Sequence, residues 1–256
     1  MGHPAGWGIE AACGILRAGM FSTFKMVLVY LTLGGVAGVL GIPYSFVVGN
    51  VRVLYRVVMS IVRGGVRAAG IRVVVTGLEN VPAGVSCIFL SNHVSNLDPP
   101  VLLPAIPGQA VVLLKKQLMR IPILGTAMRM GKFIPVERGN QREAAKTSVA
   151  AAADALRSGF HILIFAEGTR SRDGRLAAFK RGPFYLAKET GAPIVPVAIS
   201  GTQTMMRKGS AAITPGVARI AMLPAIDPAR YETREELMTA VRAAIAEALP
   251  EEMQPQ

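Results

Sequence analysis

The feature that most restricts how this chain can fold is an N-terminal run of 26 residues, 26–51, without a charged side chain. A helix needs ~20 apolar residues to cross a bilayer, so this run is long enough. It is too long, and lacks the small-residue cleavage site, for a typical cleavable signal peptide. Glycines interrupt it, and Gly41-Ile42-Pro43 predicts a break in the helix. The run therefore predicts a membrane-associated helix that either spans the bilayer or enters one leaflet.

Residues 51–69, which follow this run, predict a second helix with a basic stripe. At 100° per residue its four arginines fall within ~60° of one another, and most of the other side chains are aliphatic. This pattern favours an interfacial helix with its arginines at anionic headgroups, or alternatively the solvated face of a helix packed on the core. Basic residues are more frequent after the apolar run than before it, which predicts that the rest of the chain lies on the cytoplasmic side of a cell inner membrane or plasma membrane. The four arginines are Arg52, Arg56, Arg63 and Arg67.

The composition of the 256 residues narrows the class of partner. Hydrophobic residues make up 51% and the mean hydropathy is +0.41, which is high for a freely soluble domain. A net charge of +12 attracts nucleic acid, anionic lipid or acidic substrates. Nucleic acid is disfavoured because only 6% of residues are aromatic and no nucleic-acid-binding module is visible. Cys13 and Cys87 are too few for a disulfide framework, which indicates a reducing compartment.

After residue 70 the sequence alternates between short apolar runs and helical patterns. Such alternation predicts an α/β fold, a largely parallel sheet flanked by helices, beside the N-terminal membrane-associated helical element. We divide the chain into a helical segment at 1–69, an α/β domain at 70–250 and a frayed tail at 251–256. The proline inside strand 193–199 favours an edge or bulge position. Predicted strands are 71–76, 87–90, 110–114, 132–136, 161–165, 193–199 and 217–223. Predicted helices are 99–103, 141–157, 183–190 and 234–249, the last with a capping box at Thr233 to Glu236 and an end at Pro250.

A histidine and an aspartate five residues apart, His93 and Asp98, form a candidate catalytic pair. Residues with this spacing do not meet in a regular helix or strand, so they meet only if the chain turns between them. The polar residues 91–97 supply such a turn, and Asp98-Pro99 fits a helix N-cap followed by proline. A carboxylate on one ring nitrogen would leave the other free to take a hydroxyl proton. The alternative is a turn histidine beside an ordinary helix cap.

A second motif, Glu167-Gly168-Thr169-Arg170, follows predicted strand 161–165. Backbone N–H groups, a hydroxyl and a guanidinium lie close together there, and these are the groups that bind phosphate oxygens. Predicted strand 132–136 is likewise followed by an arginine, Arg138. Glu167 does not fit a phosphate site directly, because a carboxylate repels phosphate, so we expect it to orient an arginine or accept from a hydroxyl.

With these motifs the chain resembles the glycerolipid acyltransferases, most closely the bacterial 1-acylglycerol-3-phosphate acyltransferases. The resemblance covers roughly residues 70–225. Two positions depart from the usual pattern, since Ala166 replaces a proline and Glu137 replaces an aspartate, and these put substrate preference in doubt. The matching segments, in chain order, are Asn92-His93-x4-Asp98-Pro99, a basic element at Lys115-Lys116-Gln117-Leu118, residues 133–138, residues 165–171 and Val195-Pro196.

The resemblance implies a reaction and a role for each group. A fatty acyl group would pass from acyl-CoA or acyl-acyl carrier protein to the free hydroxyl of 1-acyl-sn-glycerol 3-phosphate (lysophosphatidic acid), forming phosphatidic acid. His93 would be the general base and Asp98 its orienting carboxylate, without a metal or other cofactor. Acceptor phosphate contacts would be Arg138, Glu167, Gly168, Thr169 and Arg170. Donor phosphate contacts would be Lys115, Lys116, Lys180 and Arg181, which otherwise form a solvated rim.

Two alternatives stay open from the sequence. One is a related acyltransferase that uses glycerol 3-phosphate or another lysophospholipid as acceptor. The other is a non-catalytic membrane lipid-binding protein, which would use the arginine stripe but would not need His93 beside Asp98.

Overall fold

The computed structural model describes residues 6–136, 141–171, 173–206 and 209–255. Its helices are α1 Gly6–Val48, α2 Arg52–Ala68, α3 Asp98–Leu102, α4 Leu124–Met130, α5 Gln141–Arg157, α6 Gly182–Thr190, α7 Thr202–Met205 and α8 Arg234–Ala248. Its strands are β1 Ile71–Thr76, β2 Ile88–Ser91, β3 Ala110–Lys115, β4 Ile134–Val136, β5 His161–Phe165, β6 Ile194–Ser200 and β7 Gly216–Met222. Short 3-10 turns occupy Leu78–Asn80, Leu103–Ala105, Lys116–Arg120, Pro228–Arg230 and Glu251–Met253.

The strands form a seven-stranded sheet in the order β1-β7-β6-β2-β5-β3-β4. Pairs β2–β5, β2–β6, β3–β5 and β3–β4 are parallel, and β1 is parallel to β7. Only the β6–β7 pair is antiparallel among the described strands, so β1 and β7 run opposite to the other five. The prediction of a largely parallel sheet flanked by helices is confirmed. Strands β2, β5 and β6 therefore bring their carboxyl ends to one edge at the centre of the sheet.

The core lies on both faces of this sheet because successive side chains in a strand point to opposite sides. In β2, Ile88 and Leu90 pack with the helices α5, α6 and α8 on one face. Phe89 packs on the other face with α2 and α3, where Met59 and Leu102 are buried. The buried, apolar β2 is what a central strand covered on both faces requires.

Strand β6 is central, so of the two positions that its proline favoured, edge or bulge, the edge position is wrong. Pro196 pairs with Leu90 of β2. On the other side of β6 the ladder with β7 begins only at Val197, and Pro196 contributes its carbonyl there, which accepts from Leu223 N at 2.9 Å. The proline lies at a discontinuity in the ladder, where its missing N–H leaves no gap in the hydrogen bonding.

Helix α1 continues through Pro43 to Val48, so the predicted break at Gly41–Pro43 is wrong. The hydroxyl of Ser45 donates to the carbonyl of Gly41 at 2.7 Å in the same turn. The chain reverses instead at Gly49, whose φ of +71° is the left-handed conformation that glycine adopts at low cost. Helix α2, which the sequence predicted at residues 51–69, then returns along α1.

Helix α1 is attached to the α/β domain at two separate places. Near its start, the Gly19 carbonyl accepts from Ile213 N at 3.1 Å, and Thr23 donates to the Ala211 carbonyl at 2.6 Å. Further along, a Cβ at Gly38 would lie 2.1 Å from Cγ2 of Ile123. Segment Leu16–Val48 is long and apolar enough, by length and composition, to cross a membrane, and little of it is buried. The helix thus lies along the domain while most of its surface stays apolar and uncovered.

The C-terminal residues are packed, so the prediction of a frayed tail is wrong for residues 251–255. Met253 is buried, and its carbonyl accepts from Leu176 N at 2.8 Å. The carbonyl of Gln254 accepts from Arg175 at 3.1 Å. The capping box of Thr233 and Glu236 begins α8 as predicted.

Candidate active site

The candidate site lies where β2, β5 and β6 end side by side. His93 follows β2, Glu167 follows β5 and Thr202 follows β6. Loops beyond the carboxyl ends of parallel strands are the usual binding position in α/β sheets. The three segments are far apart in sequence, and their meeting is a direct result of the strand order.

Asp98 is fully buried and binds His93 directly. Its Oδ2 lies 2.7 Å from Nδ1 of His93 and accepts from the amides of Val94 and Ser95, each at 2.8 Å. The predicted turn between the two residues is therefore present. The predicted N-cap role is wrong, because Leu97 occupies the cap and the carboxylate turns back toward the amides before it.

The remaining oxygen of Asp98 binds a residue that the sequence analysis did not identify. Thr202, fully buried at the start of α7, donates to Oδ1 at 2.6 Å. Asn92 fixes the neighbouring backbone, since its side-chain amide exchanges two hydrogen bonds with Ile199 of β6 at 2.8 and 2.9 Å. The polar Asn92 just before His93 and the Gly201-Thr202 pair after β6 were the available signals.

The His93 ring is held in one orientation and is partly accessible. It stacks on Phe165, with ring centroids 4.0 Å apart, and its side chain is 17% exposed. A carboxylate on Nδ1 requires a proton there, which leaves Nε2 of the neutral ring as an acceptor. Nε2 makes no hydrogen bond to any described residue. The ring can therefore take a proton from a bound hydroxyl.

Glu167 binds the His93 backbone instead of the arginine or hydroxyl expected from sequence. Its Oε1 accepts from His93 N at 2.8 Å and its Oε2 from Ala177 N at 3.2 Å. The Ser171 amide donates to the His93 carbonyl at 2.8 Å. Burial raises the pKa of the Glu167 carboxyl, while the two amide hydrogen bonds oppose that shift. Glu167 thus joins the β5 loop to the histidine.

A cleft of about 980 Å³ opens beside His93 and Glu167. Gly168, Thr169 and Arg170 line it, together with Lys180. Gly168 has a φ of +72°, and a Cβ there would lie 3.1 Å from Cγ of Lys180, so the loop is tight against the lysine. Two cationic side chains and a backbone turn at one wall suit a phosphate group.

The other predicted phosphate contacts are positioned differently. Arg138 lies outside the described residues, although β4, which precedes it, ends at the same edge of the sheet. Lys115 ends β3 there, and the exposed Lys116 follows it in a 3-10 turn. The Arg181 side chain points away to Glu235 of α8, with 3.9 Å between Nε and Oε1. Their roles stay predictions.

A second cavity, of about 580 Å³, adjoins the first and is almost wholly apolar. His93, Asn96 and Phe165 line both cavities. The apolar one extends between α2, α3, β3 and α4, which the sequence analysis did not bring together because α4 was not predicted. Its lining includes Leu54, Tyr55, Val58, Leu103, Met128 and Phe133. Among residues 6–136, 141–171, 173–206 and 209–255, no three His, Cys, Asp or Glu side chains are grouped to hold a metal ion.

A sequence model of the acyltransferase family matches residues 72–200. This range contains the candidate pair, the Glu167 loop and β6, and it ends two residues before Thr202. A 1-acyl-sn-glycerol-3-phosphate acyltransferase from Limnanthes douglasii is 30% identical over 210 residues, 81% of this chain and 73% of that protein. The chain belongs to the acyltransferase family. The resemblance inferred from the motifs is confirmed.

Other acyltransferases match over shorter ranges. The 1-acyl-sn-glycerol-3-phosphate acyltransferase of Borreliella burgdorferi is 36% identical over 140 residues, which cover 55% of this chain and 56% of that protein. The chloroplastic enzyme BAT2 of Brassica napus is 38% identical over 141 residues, 54% of this chain and 40% of that protein. The chain thus spans about half the length of these two relatives.

One solved acyltransferase has the same fold. The crystal structure of the 1-acyl-sn-glycerophosphate acyltransferase PlsC from Thermotoga maritima superposes with a TM-score of 0.76 and 25% sequence identity. The superposition covers 90% of this chain and 94% of that one.

Proposed function

We propose that this acyltransferase transfers a fatty acyl group to the free hydroxyl of 1-acyl-sn-glycerol 3-phosphate, forming phosphatidic acid for phospholipid synthesis. One observation carries the proposal: His93, paired with the buried Asp98, stands where a polar cleft that contains Arg170 and Lys180 meets an apolar cavity. A lysophospholipid with a phosphate and a hydroxyl, and a donor with an acyl chain, need such a junction. The names of the relatives support the same substrate.

The pair acts as a general base followed by a general acid. Nε2 of His93 takes the proton of the acceptor hydroxyl as its oxygen attacks the thioester carbonyl carbon. The new C–O bond forms, the C–S bond breaks, and the departing sulfur takes the proton back from Nε2 as a free thiol. Asp98 keeps the proton on Nδ1 and stabilises the imidazolium that forms between the two steps. Acyl-CoA or acyl-acyl carrier protein is then a co-substrate, and the step needs neither an acyl-enzyme nor a cofactor.

One cavity accommodates the polar groups of the substrates and the other accommodates their apolar groups. We assign the acceptor phosphate to the wall formed by Gly168, Thr169 and Arg170, with Lys180 beside it. The acyl chains of the lipid substrates enter the apolar cavity, where burial of each methylene contributes about 0.8 kcal/mol. The carbonyl and the hydroxyl then meet beside His93, which lines both spaces.

The attachment of α1 supports a location in one leaflet rather than a bilayer-spanning one. Gly19 and Gly38 both touch the α/β domain, and they are roughly 28 Å apart at 1.5 Å per residue. A helix attached to one domain at both of these points runs along the surface of that domain and does not cross a ~30 Å hydrocarbon core between them. We therefore propose that α1 lies in the cytoplasmic leaflet. The exposed Arg52, Arg56 and Arg67 of α2 then bind anionic headgroups, whereas the Arg63 guanidinium donates to the Pro104 carbonyl.

The test is product analysis with purified full-length protein in vesicles. Lysophosphatidate is supplied with either acyl-CoA or acyl-acyl carrier protein, and a parallel panel contains glycerol 3-phosphate and other lysophospholipids. Phosphatidic acid should form only with lysophosphatidate and should be absent with His93→Ala. Transfer to another acceptor in preference would select the related reaction. Binding of lysophosphatidate without any product would select the lipid-binding alternative.

A further inference from the structure

The segment between β3 and α5 exposes apolar side chains close to the site. Leu118, Ile121, Ile123 and Leu124 are 38–45% exposed, although each is a large hydrophobic residue. They lie in the 3-10 turn Lys116–Arg120, at the start of α4 and in the link between them. We name residues 116–130 the rim segment. It follows the carboxyl end of β3, so it stands at the same edge of the sheet as His93.

The rim segment contacts α1, which also exposes apolar residues. Ile123 packs on Gly38, where a Cβ would lie 2.1 Å from its Cγ2. On either side of that contact, α1 exposes Val36, Val39 and Leu40 at 58%, 60% and 67%. Both elements therefore present uncovered apolar residues, and the contact between Gly38 and Ile123 joins them, an exposure that a monomeric soluble protein rarely shows.

The backbone at this contact is unusual. Ile123 has φ 64° and ψ −61°, in the positive-φ region that β-branched residues avoid. Such strain persists only where surrounding contacts hold it. Here it directs the isoleucine side chain against α1, so the geometry of the rim segment depends on that helix.

The charges of the rim segment favour an anionic partner. Residues 99–136 contain five basic and no acidic residues. Of the basic residues, Lys116, Arg120 and Arg129 lie within the segment, interleaved with its exposed hydrophobic residues. Apolar side chains interleaved with lysine and arginine characterise structures that lie in the interface of an anionic bilayer.

The inner side of the same segment faces the apolar cavity. Leu118, Leu124 and Met128 line that cavity, and His93 lines its far end. Leu118 and Leu124 are also partly exposed, so these two residues belong both to the outer surface and to the cavity wall. The rim segment is thus the partition between the outside and the space that reaches the catalytic base.

We propose that the rim segment is a second membrane contact, which inserts into the same leaflet as α1 and opens the apolar cavity toward the bilayer. Ile121 and Ile123 enter the acyl region, while the exposed Arg120 binds headgroup phosphate. The Arg129 guanidinium instead holds the segment together, donating to the Met119 carbonyl and the Thr126 hydroxyl at 3.0 and 3.1 Å. A lipid substrate then reaches His93 laterally between the rim segment and α2, without leaving the bilayer. This proposal rests on the proposed membrane association of α1, and its partner is an anionic phospholipid bilayer.

Fluorescence quenching tests the insertion directly. The only tryptophan, Trp7, is first replaced by phenylalanine, and Ile121→Trp is introduced into that full-length background. The matched control is Val85→Trp, a site of similar exposure (50% against 45%) that precedes the amino end of β2 at the opposite edge of the sheet. In phosphatidylcholine–phosphatidylglycerol vesicles with brominated acyl chains, the Ile121 variant should lose at least half of its fluorescence. The Val85 variant should be unchanged.

Sedimentation with the same vesicles separates the possible failures. Protein that sediments with the vesicles while Ile121→Trp stays unquenched would overturn the proposal and leave the association through α1 intact. Protein that stays in the supernatant would overturn both. A fluorescence change that depends on protein concentration and not on lipid would assign the patch to a second copy of the chain, again overturning the proposal.

A functional measurement shows whether the contact delivers substrate. Ile121→Glu should lower turnover of a long-chain acceptor embedded in anionic vesicles at least fivefold. The same variant should keep wild-type turnover on a short-chain acceptor dissolved as monomers, and Val85→Glu should keep both. An equal loss on both acceptors would mean that Ile121 serves the fold or the chemistry. If no variant and no wild type transfers acyl groups, the proposed reaction fails while the quenching result stands by itself.

Discussion

The hydroxyl of Thr202 donates to Oδ1 of Asp98 at 2.6 Å, and both side chains are fully buried. Oδ2 of the same carboxylate meets His93 and two amides, so Thr202 alone occupies the other oxygen among the described residues. This arrangement leaves the carboxylate one orientation, because rotation would exchange a hydroxyl for two fixed amides. Thr202 therefore positions His93 through Asp98.

Replacing Thr202 by valine should lower kcat at least tenfold with little change in KM. Valine keeps the shape but leaves a buried carboxylate oxygen without its donor, a loss of about 1.5–3 kcal/mol for a bond to a charged group. Thr202→Ser supplies a hydroxyl again and should recover most of the turnover. Steady-state kinetics of both variants give the kcat and KM values that test this role of the Thr202 hydroxyl. A serine variant as impaired as the valine variant would indicate a packing role for the methyl group.

Removing the base should abolish transfer without unfolding the protein. His93→Ala loses general base catalysis, which contributes typically 10²–10⁴-fold, and its partly exposed ring is no core element. Asp98→Asn should keep a small residual turnover, because an amide still contacts the ring but no longer stabilises its charged form. Turnover is measured beside the thermal unfolding transition. Wild-type turnover in His93→Ala would exclude the proposed mechanism.

The sequence predicted the parts of this fold that local patterns determine. Strands β1 and β5 and helix α5 have the predicted bounds, because alternating or continuous apolar runs end there at clear turn residues. The helix break at Pro43 was predicted wrongly because a proline removes one backbone donor and can kink a helix without ending it. Helix α1 runs on to Val48, and the chain turns at Gly49.

The site was predictable where its residues are neighbours in sequence and unpredictable where strand order brings them together. The contact between His93 and Asp98 follows from a five-residue turn. Thr202 is 104 residues from Asp98, and only the adjacency of β6 and β2 makes them partners. The same holds for Glu167, because no spacing rule identifies its backbone partners, His93 in the loop after β2 and Ala177 ten residues along its own loop.

Arg170 should matter for the acceptor more than for the donor. It lines the polar cleft beside Gly168 and Thr169, and a charge-assisted hydrogen bond to phosphate contributes about 1.5–3 kcal/mol. Arg170→Ala should therefore raise the KM for lysophosphatidate tenfold or more. The control is Arg157→Ala, an exposed arginine of α5 that pairs with Asp154. Equal increases for acceptor and donor would argue that Arg170 serves the donor or the fold.

His161 should make the protein less stable in mild acid. Its Nδ1 accepts from Cys87 N at 3.0 Å, which requires a neutral ring, and burial lowers the pKa of His161 below its ordinary value. As the pH falls through about 6.5, the unfolded chain binds this proton before the folded one, so stability is present above that pH and lost below it. His161→Asn offers an acceptor that does not titrate. Its free energy of unfolding should fall less steeply than that of the wild type between pH 7 and pH 5, and parallel curves would contradict the assignment.

Two glycines of α1 provide a matched test of how that helix holds the rim segment. A Cβ at Gly38 would lie 2.1 Å from Ile123, whereas at Gly34 it would meet nothing within 4 Å. Both changes to alanine improve helix propensity by ~1 kcal/mol, so they differ only in this contact. Gly38→Ala should displace a strained residue and destabilise the protein by about 1–3 kcal/mol, the usual effect of overpacking. Two measurements should distinguish the Gly34→Ala and Gly38→Ala variants: unfolding in detergent and the rate of tryptic cleavage at Arg120 and Arg129. We expect faster cleavage in Gly38→Ala alone. Equal cleavage in both variants would show that the rim segment keeps its position without α1.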